Sequence, residues 1–254
     1  MMKKLLLMVM TLIMAVAMVG CSSQQAAQPA EKVLKVGLDA NFPPFEYYQE
    51  STKAYTGVDI EIMNALAKEM GYSKVDYVNV SFSKLLNSLN EKQFDVAMGA
   101  LAITEERKQI VTFANPYVKD GFKIIVPVNS TMTDEVAGLA GKKVAVEKDS
   151  HGATLAKKQG AILVEAADTE AAIKVVVYGN ADCVVASGLS AEFFIANGYG
   201  DKVKLAGEKM LLADEIAMAV RHDDKEMLVN LNKALQEIQR SGQYKKIMTS
   251  YFGK

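Results

Sequence analysis

Arg107 is the residue whose type and place most directly call for chemistry. It stands in "ALAITEERKQIVTFANPY", Ala100 to Tyr117, in the first turn of a short predicted helix that Thr104 can cap and Glu105 and Glu106 open. Acids suit that end of a helix, because the free N–H groups there carry partial positive charge, so an arginine is electrostatically out of place. A guanidinium one turn in can reach back and hold a carboxylate with two parallel hydrogen bonds. It can equally pair with a nearby surface acid, an arrangement worth little. Spacing alone leaves the two readings level.

Other chemistries lack their residues. No Gly-rich dinucleotide fingerprint follows the first strand, and there is neither a phosphate-binding loop nor a Gly-x-Ser-x-Gly turn. The histidines are His151 and His222 and the cysteines Cys21 and Cys183, too few to assemble a His/Cys metal cluster. No metal and no cofactor is expected. The formal net charge is −1 with no basic patch, so nucleic acid is not an expected partner.

The elements that must position Arg107 form a repeating series. "VLKVGLD" reads as a strand ending at Asp39. "GVDIEIMNALAKEMG" reads as a helix with Ile60, Met63, Ala67 and Met70 on its apolar face and Gly71 to end it. "KVDYVNV" is a strand, "SFSKLLNSL" a helix capped by Ser81, and "FDVAMG" a strand running into the Arg107 stretch. The series then restarts with "GFKIIVPVN", "KKVAVEKDSHGATLAKKQG", "AILVEA", "DTEAAIKVVVYG", "ADCVVAS" and "GLSAEFFIANG". "EIAMAVRHDD" reads as a further strand, and two helices broken at Gly242 follow. Two α/β lobes, each with a mostly parallel sheet and flanking helices, are predicted. The C-terminal edge of such a sheet is where ligands bind.

The N-terminus reads as a leader. Lys3 and Lys4 precede an uncharged apolar run that reaches "MVGC", short for a membrane span. The pattern resembles a bacterial lipoprotein signal with Cys21 as the lipidated residue. Residues 1–20 are then the signal peptide and 21–32, rich in Ala, Gln and Ser, a flexible tether. With Cys21 lipidated, Cys183 has no disulfide partner and reads as a small buried hydrophobe.

Several stretches, in this order, carry a resemblance: "VGLDANFPPFEY", "GVDIEIMNALAKEMG", "FDVAMGALAITEERKQIVTFANPY", "GKKVAVEK" and "RSGQYKKIMTSYFG". Together they resemble the extracytoplasmic amino-acid-binding proteins of ABC importers, solute-binding protein family 3. The resemblance implies a two-lobed periplasmic-binding-protein-like (type II) clamp, with residues 33–119 and 217–254 in one lobe and 120–216 in the other. Segments near 119–121 and 215–217 would be the hinge. It implies capture of an amino acid or related small carboxylate, delivery to a membrane permease, and an extracytoplasmic monomer held by its lipid.

The resemblance also implies a pocket. Arg107 matches the arginine that clamps the ligand's α-carboxylate, Phe42 and Phe82 the aromatics beside its side chain, and Asp39 an acid that helps select that side chain. Ala100 falls in the same pocket, and Ser150 and His151 lie in the loop before a helix of the second lobe. Two positions depart from the pattern. Ala102 stands where serine or threonine is usual, and Ser187 where an aspartate usually ends a strand, both being contacts to the ligand's α-ammonium. An ammonium buried without an anion costs several kcal/mol. Either Glu147, Asp149 or Glu215 substitutes, or the ligand lacks an ammonium. The alternatives to a carrier are an enzyme on the same fold resembling cyclohexadienyl dehydratase, and a soluble sensory co-receptor.

Overall fold

A computed structural model of the chain describes residues 31–252. The predicted signal peptide, Cys21 and nearly all of the tether lie outside those residues. The described chain folds into two α/β lobes, each a mixed sheet clad by helices on both faces.

In the first lobe β1 (Val33–Leu38) is central. It pairs in parallel with β5 (Lys74–Asn79) and with β6 (Val96–Ala97). One face is covered by α1 (Val58–Glu69) together with the last two helices, α6 (Lys225–Arg240) and α7 (Gln243–Phe252), around Leu34, Met63, Leu66 and Leu231. The other face takes α2 (Phe82–Asn90) through Leu85, Leu89 and Phe94. Helix α1 buries the predicted Ile60, Met63 and Ala67, and Gly71 follows it in the left-handed conformation that ends helices. Gly37 has a steric reason to be glycine, since a Cβ there would lie 2.1 Å from the Phe94 ring.

In the second lobe β9 (Lys143–Glu147) lies in parallel between β10 (Ile162–Ala166) and β11 (Cys183–Ser187), and β11 runs antiparallel to the long β8 (Val118–Pro127). Helix α3 (His151–Lys158) packs one face; α4 (Thr169–Val177) and α5 (Gly188–Phe194) pack the other. Cys183 is fully buried in the apolar core, as its surroundings in the sequence imply.

Three readings need correction. The helix expected at Arg107 is a single 3-10 turn, Arg107–Gln109, although Thr104 Oγ1 does accept from Arg107 N at 3.2 Å. "EIAMAVRHDD" is not one strand. It divides into β13 (Ala213–Ile216), antiparallel to β8, and β14 (Ala219–Val220), antiparallel to β6 and to β7 (Thr112–Phe113). The chain passes between sheets there, so one apolar run serves two ladders. Residues 41–56, not assigned to any element from the sequence, form a small sheet of β2 (Asn41–Phe42), β3 (Glu46–Gln49) and β4 (Ala54–Thr56), whose strands are too short for periodicity to reveal.

Strands β8 and β13 run together between the lobes, pairing Asp120 with Asp214 and Lys119 with Glu215. Their first-lobe end is tied to the Arg107 stretch by Ile103 N to Glu215 O and Ala217 N to Leu101 O, at 2.9 and 3.0 Å.

Candidate functional site

A cavity lies between the lobes, and all nine residues singled out from the sequence line it: Asp39, Phe42, Phe82, Ala100, Ala102, Arg107, Ser150, His151 and Ser187. Glu46, Asp120, Phe122, Glu147, Thr169 and Asp214 join them.

The first-lobe wall is held rigidly. Asp39, just past β1, accepts from Phe82 N at 2.7 Å and from Asn41 Nδ2 at 3.0 Å, which locks the start of α2 to the end of β1. Phe42 stacks on Phe45 with ring centroids 5.6 Å apart. Behind this wall, buried Asp59 accepts from Tyr117 Oη at 2.7 and 2.8 Å and from Ala100 N at 3.2 Å. Ala100 has a positive φ of 44°, a conformation an alanine takes only when surroundings hold it there. Burial, followed by the neighbouring Asp59, pushes Glu46 well above the usual carboxylate range. Asp59 itself is pushed up to about 6, chiefly by burial.

Arg107 is half-buried and carries no ion pair to any acid among the described residues. Its Nη1 donates to Ala102 O at 3.0 Å and its Nη2 to the second lobe's Asp149 O at 3.4 Å, while its guanidinium lies 5.2 Å from the Phe82 ring centre. These contacts aim the fork without neutralising it. The surface pair weighed against the carboxylate clamp is therefore not formed: the neighbouring acid Glu105 pairs with Lys108 instead, at 2.7 Å.

In the second lobe Ser150 caps α3, its Oγ accepting from Ala153 N at 3.0 Å. His151 sets Nδ1 2.6 Å from Asp214 Oδ2 and meets the Phe122 ring edge to face at 5.9 Å. Ser187 caps α5, donates to Asp120, and accepts from Ser190 N. Glu147 ends β9 inside the cavity. Burial first, then Asp39 and Asp168, push it up to about 8 against the opposing pull of Arg107.

Of the three acids considered as substitutes for the missing aspartate, only Glu147 lines the cavity. Asp149 contributes its backbone carbonyl to Arg107 while its residue is exposed. Glu215 lies on the outer face of the β8/β13 ribbon, paired with exposed Lys119 at 3.4 Å. Asp120 and Asp214, which the sequence reading passed over, occupy the inner face. The signal that finds them is strand alternation: in "ADEI" Asp214 and Ile216 are buried while Ala213 and Glu215 are exposed.

Two α/β lobes joined by a pair of strands, with a charged and aromatic cavity between them, make a solute-binding clamp. The chain belongs to the bacterial extracellular solute-binding proteins, family 3, whose model matches residues 34–254. It is 32% identical over 257 residues to the probable amino-acid-binding protein YxeM of Bacillus subtilis (strain 168), covering 99% of this chain and 96% of that one. To the L-arginine-binding protein of Pseudomonas aeruginosa it is 28% identical over 232 residues, 88% of this chain and 89% of the relative. An ancestral arginine-binding protein bound to glutamine superposes with a TM-score of 0.81 at 32% identity, over 87% of this chain and 98% of that one. These relatives are named as binding proteins and not as enzymes.

Proposed function

We propose that the chain is the substrate-binding lipoprotein of an ABC importer, capturing an amino acid or related small carboxylate and handing it to a membrane permease. The observation that carries this reading is Arg107: a guanidinium on the cavity wall with no acid partner, held by two backbone carbonyls from opposite lobes. A ligand carboxylate entering the cavity supplies the missing charge. Replacing weak carbonyl contacts by a charge-assisted fork is the energetic reason to bind. Phe42 and Phe82 would flank the ligand's side chain, and Ala102 would offer its backbone N–H. The family membership and the amino-acid-binding names of the relatives support the same reading.

In this reading residues 33–119 and 217–254 form one lobe and 120–216 the other. The β8/β13 ribbon acts as the hinge, bending near 119–121 and 215–217. Cys21 carries the lipid that keeps the monomer at the outer face of the cell membrane, and 21–32 is the lipidated tether. Native mass spectrometry of the full chain, released from membranes in mild detergent, tests the core of the proposal. The expected result is a mass increment that, once stripped and identified, is an amino acid or small carboxylate. A chain that carries no such molecule and binds none of the common amino acids in titration calorimetry sinks it.

A further inference from the structure

Among the described residues the cavity holds a second ionisable group with no ion-pair partner, an acid where Arg107 is a base. Asp120 is 5% exposed, lines the cavity, and makes no ion pair among the described residues. The cations around it are engaged elsewhere: Lys119 with Glu215, Lys123 with Glu192 at 2.7 Å, and His151 with Asp214. Its Oδ2 accepts from the Ser187 hydroxyl, while its Oδ1 is buried with no hydrogen-bond partner. A carboxylate oxygen shut away from water without a donor is costly and calls for an explanation.

Apart from Glu46, the other acids of the cavity have no buried oxygen without a hydrogen-bond partner. Asp39 has both oxygens occupied by Asn41 and the Phe82 amide. Asp214 is matched by His151. Glu147 leaves no side-chain oxygen that is both buried and unpaired. Glu46 also has an unpaired buried oxygen, but it lies beside a second buried acid, Asp59, and burial there favours its neutral form. At Asp120 burial holds the pKa above its ordinary value against the opposing pull of the Ser187 hydroxyl and the amides of Gly121 and Leu189, and a cation at the unpaired oxygen would favour the charged form. A metal ion is a poor candidate for the empty place, because no cluster of three or more potential ligands exists among the described residues. What fits is a small organic cation with N–H donors.

The strand register says where that cation sits. Ser187 ends β11 opposite Phe122 on β8, and Asp120 lies two residues from Phe122 on the same strand. Side chains two apart share a face, so the Asp120 carboxyl hangs over the end of β11, next to Ser187. Resting on the reading of this cavity as an amino-acid site, we infer that Asp120 supplies from β8 the negative charge that binds the ligand's α-ammonium. Ser187, which stands where an aspartate was expected, is the positioning residue that orients it. The ligand class is thereby narrowed to zwitterionic α-amino acids, with the carboxylate on Arg107 and the ammonium on Asp120.

Calorimetry on the full chain in detergent tests this with L-arginine, L-histidine and L-glutamine, and with two des-amino counterparts, 5-guanidinopentanoate and glutaramate. The wild type should prefer an amino acid over its des-amino counterpart by at least a hundredfold. Asp120→Asn, which keeps the shape and the Ser187 contact, should lose that preference, with affinity for the des-amino acid changed less than threefold. Ser187→Ala should lower the preference about tenfold and Ser187→Thr should restore it, a pattern that a merely structural serine does not give. An Asp120→Asn chain that keeps the full preference overturns the inference and leaves the amino-acid reading intact. If that variant does not fold, the wild-type preference decides: equal binding of the des-amino acids overturns the inference by itself. A wild type that binds neither kind of compound overturns the amino-acid reading and this inference with it.

Discussion

The inner and outer faces of the β8/β13 ribbon are one residue apart in sequence and opposite in electrostatics. On the outer face Lys119 and Glu215 meet in water, both largely exposed, with their charges cancelled before any ligand arrives. On the inner face two acids, Asp120 and Asp214, are paired directly across the strands in a buried setting. Like charges opposite one another are destabilising unless something offsets them. His151 offsets Asp214. Among the described residues neither Asp120 nor Arg107 has an ion-pair partner within 4 Å, although Glu147 and Asp214 act on Arg107 from further off. The lesson is that burial separates a structural ion pair from a binding group: charge left unmatched where water is scarce is kept for a ligand.

That contrast can be broken most severely at Arg107. Arg107→Ala should weaken binding of amino acids and of des-amino carboxylates alike by about 2–5 kcal/mol, thirtyfold to several thousandfold, because it removes the partner common to both. The melting temperature of the ligand-free chain should change by no more than a few degrees, since the guanidinium bonds only two carbonyls. Retained affinity in calorimetry would refute the clamp.

A second effect follows from the acids that burial keeps protonated. Asp59 rises from its ordinary 3.8 to about 6, so between those values the folded chain holds a proton the unfolded chain has released. The stability this supplies is complete below about pH 4 and is lost as pH rises through 6. Glu46 shifts in the same direction, and Glu147, at about 8, extends the loss upwards. The ligand-free protein should therefore melt at a lower temperature at pH 8 than at pH 5. The loss from Asp59 alone is on the order of 2–3 kcal/mol. Glu46→Gln should flatten the slope; a melting temperature that rises steadily across that range would contradict the assignment.

Smaller effects sharpen the comparison. Phe42→Ala removes one aromatic flank and should weaken binding by about 1–2 kcal/mol, roughly five- to thirtyfold, with no change in the preference for an ammonium. Loss of that preference would move the ammonium site away from Asp120. Glu215→Gln, on the outer face, should alter stability by less than about 0.5 kcal/mol and leave affinity unchanged. A large loss of binding there would mean that the outer pair takes part in lobe closure.

Much of the scaffold was legible before any coordinates. Strands β1, β5, β9, β10 and β11 and the helices α1, α2, α3, α4, α6 and α7 lie where apolar period, caps and glycines put them. The Arg107 stretch and the Asp-x-x-aromatic-x-Pro-Phe segment carried the first-lobe wall of the cavity. What escaped were elements too short to show a period. The hairpin residues 41–56, the 3-10 turn at Arg107 and the split at Ile216–Ala219 are set by neighbours distant in sequence. The acid Glu215 drew notice because it sits near a strand end, yet alternation turns it outwards and Asp214 inwards.

By itself, then, the sequence determined the two α/β series and singled out Arg107. Local spacing suffices for these, because helix period and capping are properties of neighbouring residues. Only the tertiary structure decided which charges are matched. Asp214 meets His151 across 63 positions and Asp120 meets Ser187 across 67, and both pairs exist because β8 is threaded between strands from the far end of the chain. Whether a carboxylate is a surface charge, half of an ion pair or a waiting site depends on burial and on partners. Those are fixed by how the sheets close around the cavity.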